Sequence, residues 1–341
     1  MQMRDDLGIT TKLENGKAYL EFALPEKIGR LLSALQIEIW EGAEGERLVF
    51  HGEYASEEAD CMTALLLRPH LWDGVRDPYV YLVKAKGRFG TVEYGEKMGG
   101  MEKEEESDPA EDIPEAVEVY WRQKLAIYDV RVVDKKGIFL NEKEFQPREI
   151  VYRFPPQISD VGTWEEQMKA DLEQLARMGV NTIRLEGTGS GTEGQDHCEV
   201  RAFYSLCRRR GFLTGDLWIR PEILPVYRGL PGETMAKALL AADGRTLTER
   251  YYYYQAKWSN EPVLYPALST LHRQENGLLS LTIYSNQKKV VLYVDGVLFL
   301  FQSAASGDPE FIFEDIPVAK LPLHLAAEAG NLSISLTVTK L

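Results

Sequence analysis

Apolar and polar residues alternate with period two over Ala18–Leu24, Leu35–Trp40 and Tyr79–Ala85. That is the pattern of strands buried on one face, and turn residues between them predict a β-sandwich. Leu125–Val133 continues the strand pattern. Gly137–Phe145 predicts a hairpin with Asn141–Lys143 at its turn. The period then changes. Met168, Leu172, Leu175 and Met178 recur at helical spacing within Glu165–Met178, and Gly179 stops the helix. Val180–Leu185 reads as a short strand, Val200–Arg210 as a second helix ended by Gly211, and Phe212–Asp216 as a strand. Glu149–Tyr152 precedes them as the first strand of this series, and Glu233–Ala242 predicts a third helix. Strand and helix alternating through short links imply right-handed parallel crossovers.

From Tyr251 the strands return: Tyr251–Trp258, Leu278–Tyr284, Lys289–Val294 and Leu332–Val338. Two of the four tyrosines Tyr251–Tyr254 are then expected in a core, because a strand turns alternate side chains inward. Asp295-Gly296 is a type I′ hairpin turn, and a second β-sandwich follows. The middle segment looks like the opening of a (β/α) barrel. A complete barrel takes roughly 250 residues, or about 30 per βα unit. Only the 34 residues 217–250 separate Asp216 from Tyr251, so most of those units have no room.

Composition narrows the partners. The chain has 341 residues, is 44% hydrophobic and carries a formal charge of −14, with a pI near 5.0. It can bury ordinary cores, and it lacks the basic face that nucleic acid or an anionic membrane requires. Cys61, Cys198 and Cys207 form neither a disulfide framework nor a metal-ligand pattern. The five histidines are dispersed, and His197-Cys198 has no second ligand pair nearby. No metal, nucleotide or organic cofactor is expected. Glu186–Gly194 is Gly-rich but lacks the Lys-Ser/Thr of a phosphate-binding loop. Residues 99–115 hold the acidic run of residues 102–112, expected as a mobile loop. No apolar run reaches about 18 residues, so a soluble, cytoplasmic chain is expected.

Several segments in order resemble family-2 glycoside hydrolases, the group of β-galactosidases and β-glucuronidases. Leu71–Tyr81 resembles the "LW…P-Y-L-Y" segment of the immunoglobulin-like domain before that family's barrel. Gly137–Arg148 resembles "FxLNGKPxxLRG", Asp171–Arg184 resembles "DLxxMKxxGxNxxR", and Phe203–Asp216 resembles "FYDLCDExGxxVxDE". Tyr251–Trp258 and Leu281–Gly296 resemble segments of the C-terminal sandwich. The resemblance implies a multidomain α+β chain. Residues 1–145 would form an immunoglobulin-like β-sandwich, 146–247 a truncated (β/α)-barrel remnant of about three parallel strands, and 248–341 a second immunoglobulin-like sandwich.

Departures from the family pattern bear on function. Family-2 enzymes retain configuration and need two carboxylic acids about 5–5.5 Å apart. In the family both acids come from barrel strands later than the third. "RGxNxH" is here Arg148–Arg153 without the Gly or His, and "RxSHYP" keeps only Arg184. The "DE" of the third strand keeps Asp216 and is followed by Leu217. The Asn-Glu pairs at Asn141-Glu142 and Asn260-Glu261 fall away from barrel strand ends and read as structural.

The resemblance therefore implies a catalytically inactive relative with a carbohydrate-associated binding or assembly role. One alternative is a working glycosidase whose rebuilt site uses Glu186 and Asp216 as carboxylates, with Arg184 near them. For these three residues the competing expectation is an ion-pair cluster. The other alternative is a sugar-binding module, in which Trp218 at a strand exit is placed to stack on a sugar ring. A short parallel sheet leaves edges and apolar faces uncovered. Residues 217–243 folding back over it, or a homodimer, would cover them.

Overall fold

A computed structural model describes residues 7–24, 32–55, 62–89, 118–154, 161–186, 197–214, 224–230, 232, 238–304 and 307–340. The acidic run, the Gly-rich loop beyond Glu186, Asp216 and Trp218 lie outside these described residues. The chain divides into two compact units, Met1–Phe145 with Asp196–Gly211, and Gln146–Gln195 with Phe212–Leu341.

In the first unit, strands β1 (Gly8–Glu14), β2 (Lys17–Ala23) and β5 (Thr63–Leu67) form one antiparallel sheet in the order β1-β2-β5. Strands β3 (Leu32–Glu41), β4 (Arg47–Ala55), β6 (Tyr81–Phe89) and β7 (Glu118–Leu125) form a second, ordered β4-β3-β6-β7. The alternation in the sequence sorts inside from outside. Ala18, Leu20 and Phe22 of β2, Leu35, Ile37 and Ile39 of β3, and Tyr81, Val83 and Ala85 of β6 share one core. The segment Leu125–Val133 is not one strand, as its pattern predicts. β7 ends at Leu125, and a new strand β8 begins at Val130. Leu125, Ala126 and Ile127 are all buried in succession, which breaks the two-residue alternation of a strand. β8 (Val130–Val133), β9 (Gly137–Leu140) and β10 (Lys143–Phe145) make a small sheet in the order β10-β9-β8. As expected, Asn141 and Glu142 form the β9–β10 turn.

In the second unit, β11 (Glu149–Tyr152) leads to helix α1 (Val161–Met178) and strand β12 (Thr182–Leu185). Helix α2 (His197–Arg209), assigned with the first unit, lies next in sequence, followed by β13 (Leu213–Thr214). The helical stripe is as read: Met168, Leu172, Leu175 and Met178 are fully buried. Cys207 of α2 is buried as well.

Among the described residues the expectation of about three parallel strands is corrected to five. β14 (Val226–Arg228) pairs with the free side of β11, and β15 (Ala238–Leu240) pairs with β14. The order is β13-β12-β11-β14-β15, parallel throughout. Part of the segment expected to fold back over the sheet thus extends it. The predicted helix over Glu233–Ala242 is likewise corrected where it is described, because Ala238–Leu240 is a strand, while residues 233–237 lie outside the described residues. The Ala and Leu there favour a helix weakly, and the parallel ladder to Val226–Arg228 with all three side chains buried overrides that preference. The outer edge of β15 is partly closed by a Leu240–Leu247 bridge and by the Thr248 amide, which donates to Leu239 O at 3.0 Å.

Tyr251–Trp258, expected as a strand, is helix α3 (Glu249–Trp258). Glu249 in its first turn and Lys257 in its last oppose the helix dipole favourably. Of the four consecutive tyrosines only Tyr251 is buried, so the expectation of two core tyrosines is also corrected. Beyond α3 stands the predicted sandwich. Its sheets are β16-β17-β20 and β19-β18-β21-β22, built from β16 (Leu264–Arg273), β17 (Leu279–Ser285), β18 (Lys289–Val294), β19 (Val297–Ser303), β20 (Glu310–Ile316), β21 (Leu323–Ala329) and β22 (Leu332–Val338). Leu281, Ile283, Leu292, Phe311, Phe313 and Leu325 fill its core. Asp295 and Gly296 sit at φ 48° and 82° in the β18–β19 turn, as the Asp-Gly dipeptide requires.

Candidate functional site

Chemistry on parallel βα units gathers at the C-terminal ends of the strands. On β11 and β12 the register pairs Ile150 with Ile183, Val151 with Arg184, and Tyr152 with Leu185. Strand alternation puts Ile150, Tyr152, Ile183 and Leu185 on one face. The Tyr152 hydroxyl donates to Asp171 of α1 at 2.5 Å, so α1 covers that face. Glu149, Val151 and Arg184 share the opposite face.

The sequence singled out Arg184 and Glu186, and the structure gives each its own ion-pair partner. Arg184 Nε donates to Glu149 Oε1 at 2.9 Å, and Glu149 is buried at the start of β11. Glu186 stands just past β12 and is forked by Arg153, whose Nη2 donates to Oε1 at 2.7 Å and whose Nε donates to Oε2. Arg153 is held in turn by donating from Nη1 to Arg228 O at 3.0 Å. Both Glu186 oxygens therefore face one guanidinium in the planar geometry that suits this pair. Arg184 and Glu186 thus sit in ion pairs with Glu149 and Arg153, and Asp216 lies outside the described residues.

Sequence reading missed a third cluster. Asp171 is 2% exposed. Its carboxylate accepts from Arg228 Nη2 at 2.9 and 3.2 Å, from Tyr152 OH at 2.5 Å, from Tyr227 OH at 3.2 Å and from Gln167 Nε2 at 2.9 Å. The rings of Tyr152 and Tyr227 stack with centroids 5.5 Å apart. A signal for this cluster was present. Asp171 sits three residues after Met168 and four before Leu175, on the apolar stripe of α1, where a carboxylate needs a cation. Nothing in the sequence marked Arg228 as that cation.

The cluster predicts an alkaline limit to stability. Burial, then the Asp171 charge, pushes the Tyr152 and Tyr227 phenols up. Burial lifts Tyr251 to about 12, and it lifts Tyr81 of the first unit to about 12. An unfolded phenol titrates near 10. A raised folded pKa contributes stability that is complete below about pH 10 and is lost as pH climbs through about 12. Urea midpoints should hold level from about pH 7 to 9 and fall above about pH 10. A midpoint at about pH 11 equal to that at about pH 8 would contradict the assignment.

Among the described residues no group of three or more His, Cys, Asp or Glu could hold a metal ion, and no helix is long and apolar enough to cross a membrane.

No protein-family model matches the sequence, and no curated protein matches it. Solved structures do share the fold. A Bacteroides uniformis β-glucuronidase aligns with a TM-score of 0.61 at 13% identity, covering 98% of this chain and 60% of that one. A putative β-galactosidase from Bacteroides fragilis gives 0.61 at 14% identity, covering 97% of this chain and 72% of that one. A glycosyl hydrolase family 2 member from Bacteroides cellulosilyticus gives 0.57 at 12% identity, covering 98% and 63%. The chain thus spans about three-fifths of the Bacteroides uniformis enzyme. At these identities the likeness is one of fold.

Proposed function

We propose that this chain is a catalytically inactive relative of the family-2 glycoside hydrolases, with a truncated barrel and a carbohydrate-associated binding or assembly role. The observation that carries the reading is the fork of Arg153 on Glu186. A retaining glycosidase needs one free carboxylate nucleophile and a second carboxyl that gives up a proton, set about 5–5.5 Å apart. Glu186 has both oxygens engaged by a guanidinium, and Glu149, the acid on the neighbouring strand, is engaged by Arg184. The truncation has its own support. Five parallel strands stand among the described residues, where a barrel has eight. β14 and β15 arise inside the short stretch between Asp216 and Tyr251.

A screen with nitrophenyl glycosides tests the proposal. No turnover above background is expected. Turnover that falls in Glu186→Gln or Asp216→Asn would overturn it in favour of a rebuilt site. A glycan array on the intact chain tests the binding half, with Trp218→Ala and Arg184→Ala as variants for a site at the strand exits. The proposal includes a homodimer in which a second copy packs against the parallel sheet. Light scattering at micromolar concentration should give twice the 38.7 kDa chain mass, and a monodisperse monomer would remove that part.

A further inference from the structure

A cleft of about 520 Å³ opens in the first unit, where the β1–β2 turn, the segment after β5 and the β9–β10 turn meet. Ligand pockets commonly run to about 300–1,000 Å³. Part of the polar lining serves the fold. The Asn141 amide donates to Trp72 O at 2.8 Å, and its carbonyl accepts from Asp129 N at 3.0 Å. Arg131 pairs with Asp129 at 2.5 Å.

Three lining side chains, Asn15, Arg68 and Glu142, have no hydrogen bond or ion pair among the described residues. All three sit at positive φ, 51°, 50° and 67° respectively. For Asn15 the conformation has a local cause, since Asn-Gly is the preferred type I′ pair. For Glu142 it is that of the second position of the two-residue β9–β10 turn, where Asn141 also stands at φ 49°, whereas Arg68 lies just past β5. Each carries a Cβ in a region where glycine would be unstrained, and Glu142 takes the turn position that glycine usually fills. Three exposed polar side chains with no partner among the described residues, gathered around one cleft, are the arrangement of a binding site.

Chemistry narrows the ligand. A guanidinium only donates, a carboxylate only accepts, and a carboxamide does both. A ligand that satisfies all three must present both donors and acceptors, as hydroxyls do. Leu13, Pro69 and Leu71 supply an apolar surface for a face of C–H groups. Glu14, Asp129 and Glu142 nearly balance Arg68 and Arg131 in charge, so the cleft favours neither a phosphate nor a polycation. Its charged rim disfavours a bare hydrocarbon.

We infer that this cleft binds a neutral saccharide unit, with Arg68, Glu142 and Asn15 on its hydroxyls and the apolar floor against its ring. The choice of a sugar rests on the carbohydrate-associated reading above. The location of the site does not.

Saturation-transfer NMR on the full chain tests it, with lactose, cellobiose and maltose as probes and with glucuronate and glycylglycine beside them. At least one neutral disaccharide should bind. Arg68→Gly with Glu142→Gly should weaken that binding at least ten-fold while Tm stays at or above the wild-type value, because glycine relieves the strained φ. Glu142→Gln, which leaves the backbone as it is, should weaken binding with Tm unchanged. If no neutral saccharide binds the wild type, both this inference and the carbohydrate-associated reading fail. If one binds equally well in the double glycine variant, the cleft is wrong and the reading survives. Preference for glucuronate or the dipeptide overturns the ligand class, and a fall in Tm in the glycine variants shows that these side chains serve the fold.

Discussion

Asp171→Ala should lower the unfolding free energy by about 3–5 kcal/mol, the usual cost of breaking a buried ion pair by removing one partner. The side chains of Asp171 and Arg228 are 3% and 6% exposed, so water cannot replace the lost contact. The variant leaves Arg228 charged and buried, and Arg228 Nε has no hydrogen-bond partner among the described residues. It also strips one acceptor from each of the Tyr152 and Tyr227 hydroxyls, and the lost hydrogen bonds of these buried groups add to the cost. Urea unfolding of wild type and variant gives the number directly. Asp171→Leu combined with Arg228→Met removes both charges and should recover most of the loss, because the expense lies in the orphaned charge rather than in the missing attraction. A single-variant cost under about 1 kcal/mol would mean that water or another group reaches Arg228.

The same residues show how far the sequence could be read. The sandwich strands were legible because each buries one face, which prints a two-residue alternation such as Ala18, Leu20 and Phe22. Helix α1 was legible because Met168, Leu172, Leu175 and Met178 print a longer period. Strands β14 and β15 have three residues each, too short for any period, and all of Ala238–Leu240 is buried, which removes the alternation as well. The tyrosine run of α3 carries strand-like side chains on a segment whose helical state depends on packing against its neighbours. At the site, the positions of Arg184 and Glu186 were legible and their partners were not. Arg153 and Glu149 each meet their partner only through the β11–β12 register, which is a tertiary fact.

Gly179→Ala should cost about 3 kcal/mol, more than a helix-ending glycine usually does. Backbone strain alone accounts for about 1–2 kcal/mol, since Gly179 lies at φ 90°. The Gly179 amide donates to Ala176 O at 2.9 Å and the Val180 amide to Leu175 O at 3.1 Å, so the conformation is fixed by the end of α1. Overpacking adds the rest. A Cβ there would stand 2.4 Å from Trp258 O, 2.6 Å from Trp258 C and 2.9 Å from Ser259 N, all backbone atoms at the end of α3. Those atoms have little freedom to retreat. Arg148 Nη1 donates to Trp258 O at 2.7 Å, and the Ser259 amide donates to Gln255 O at 2.9 Å. Gly277→Ala is the control: its φ is 84° and a Cβ there meets nothing within 4 Å, so it should register the backbone strain alone. Denaturation midpoints of the two variants separate the terms. If Gly179→Ala proves no more costly than Gly277→Ala, the close approach of α1 to the end of α3 is wrong. If it costs more by the expected margin, the glycine that the sequence marked only as a helix stop is also the point where the parallel sheet's first helix meets the helix leading into the C-terminal sandwich.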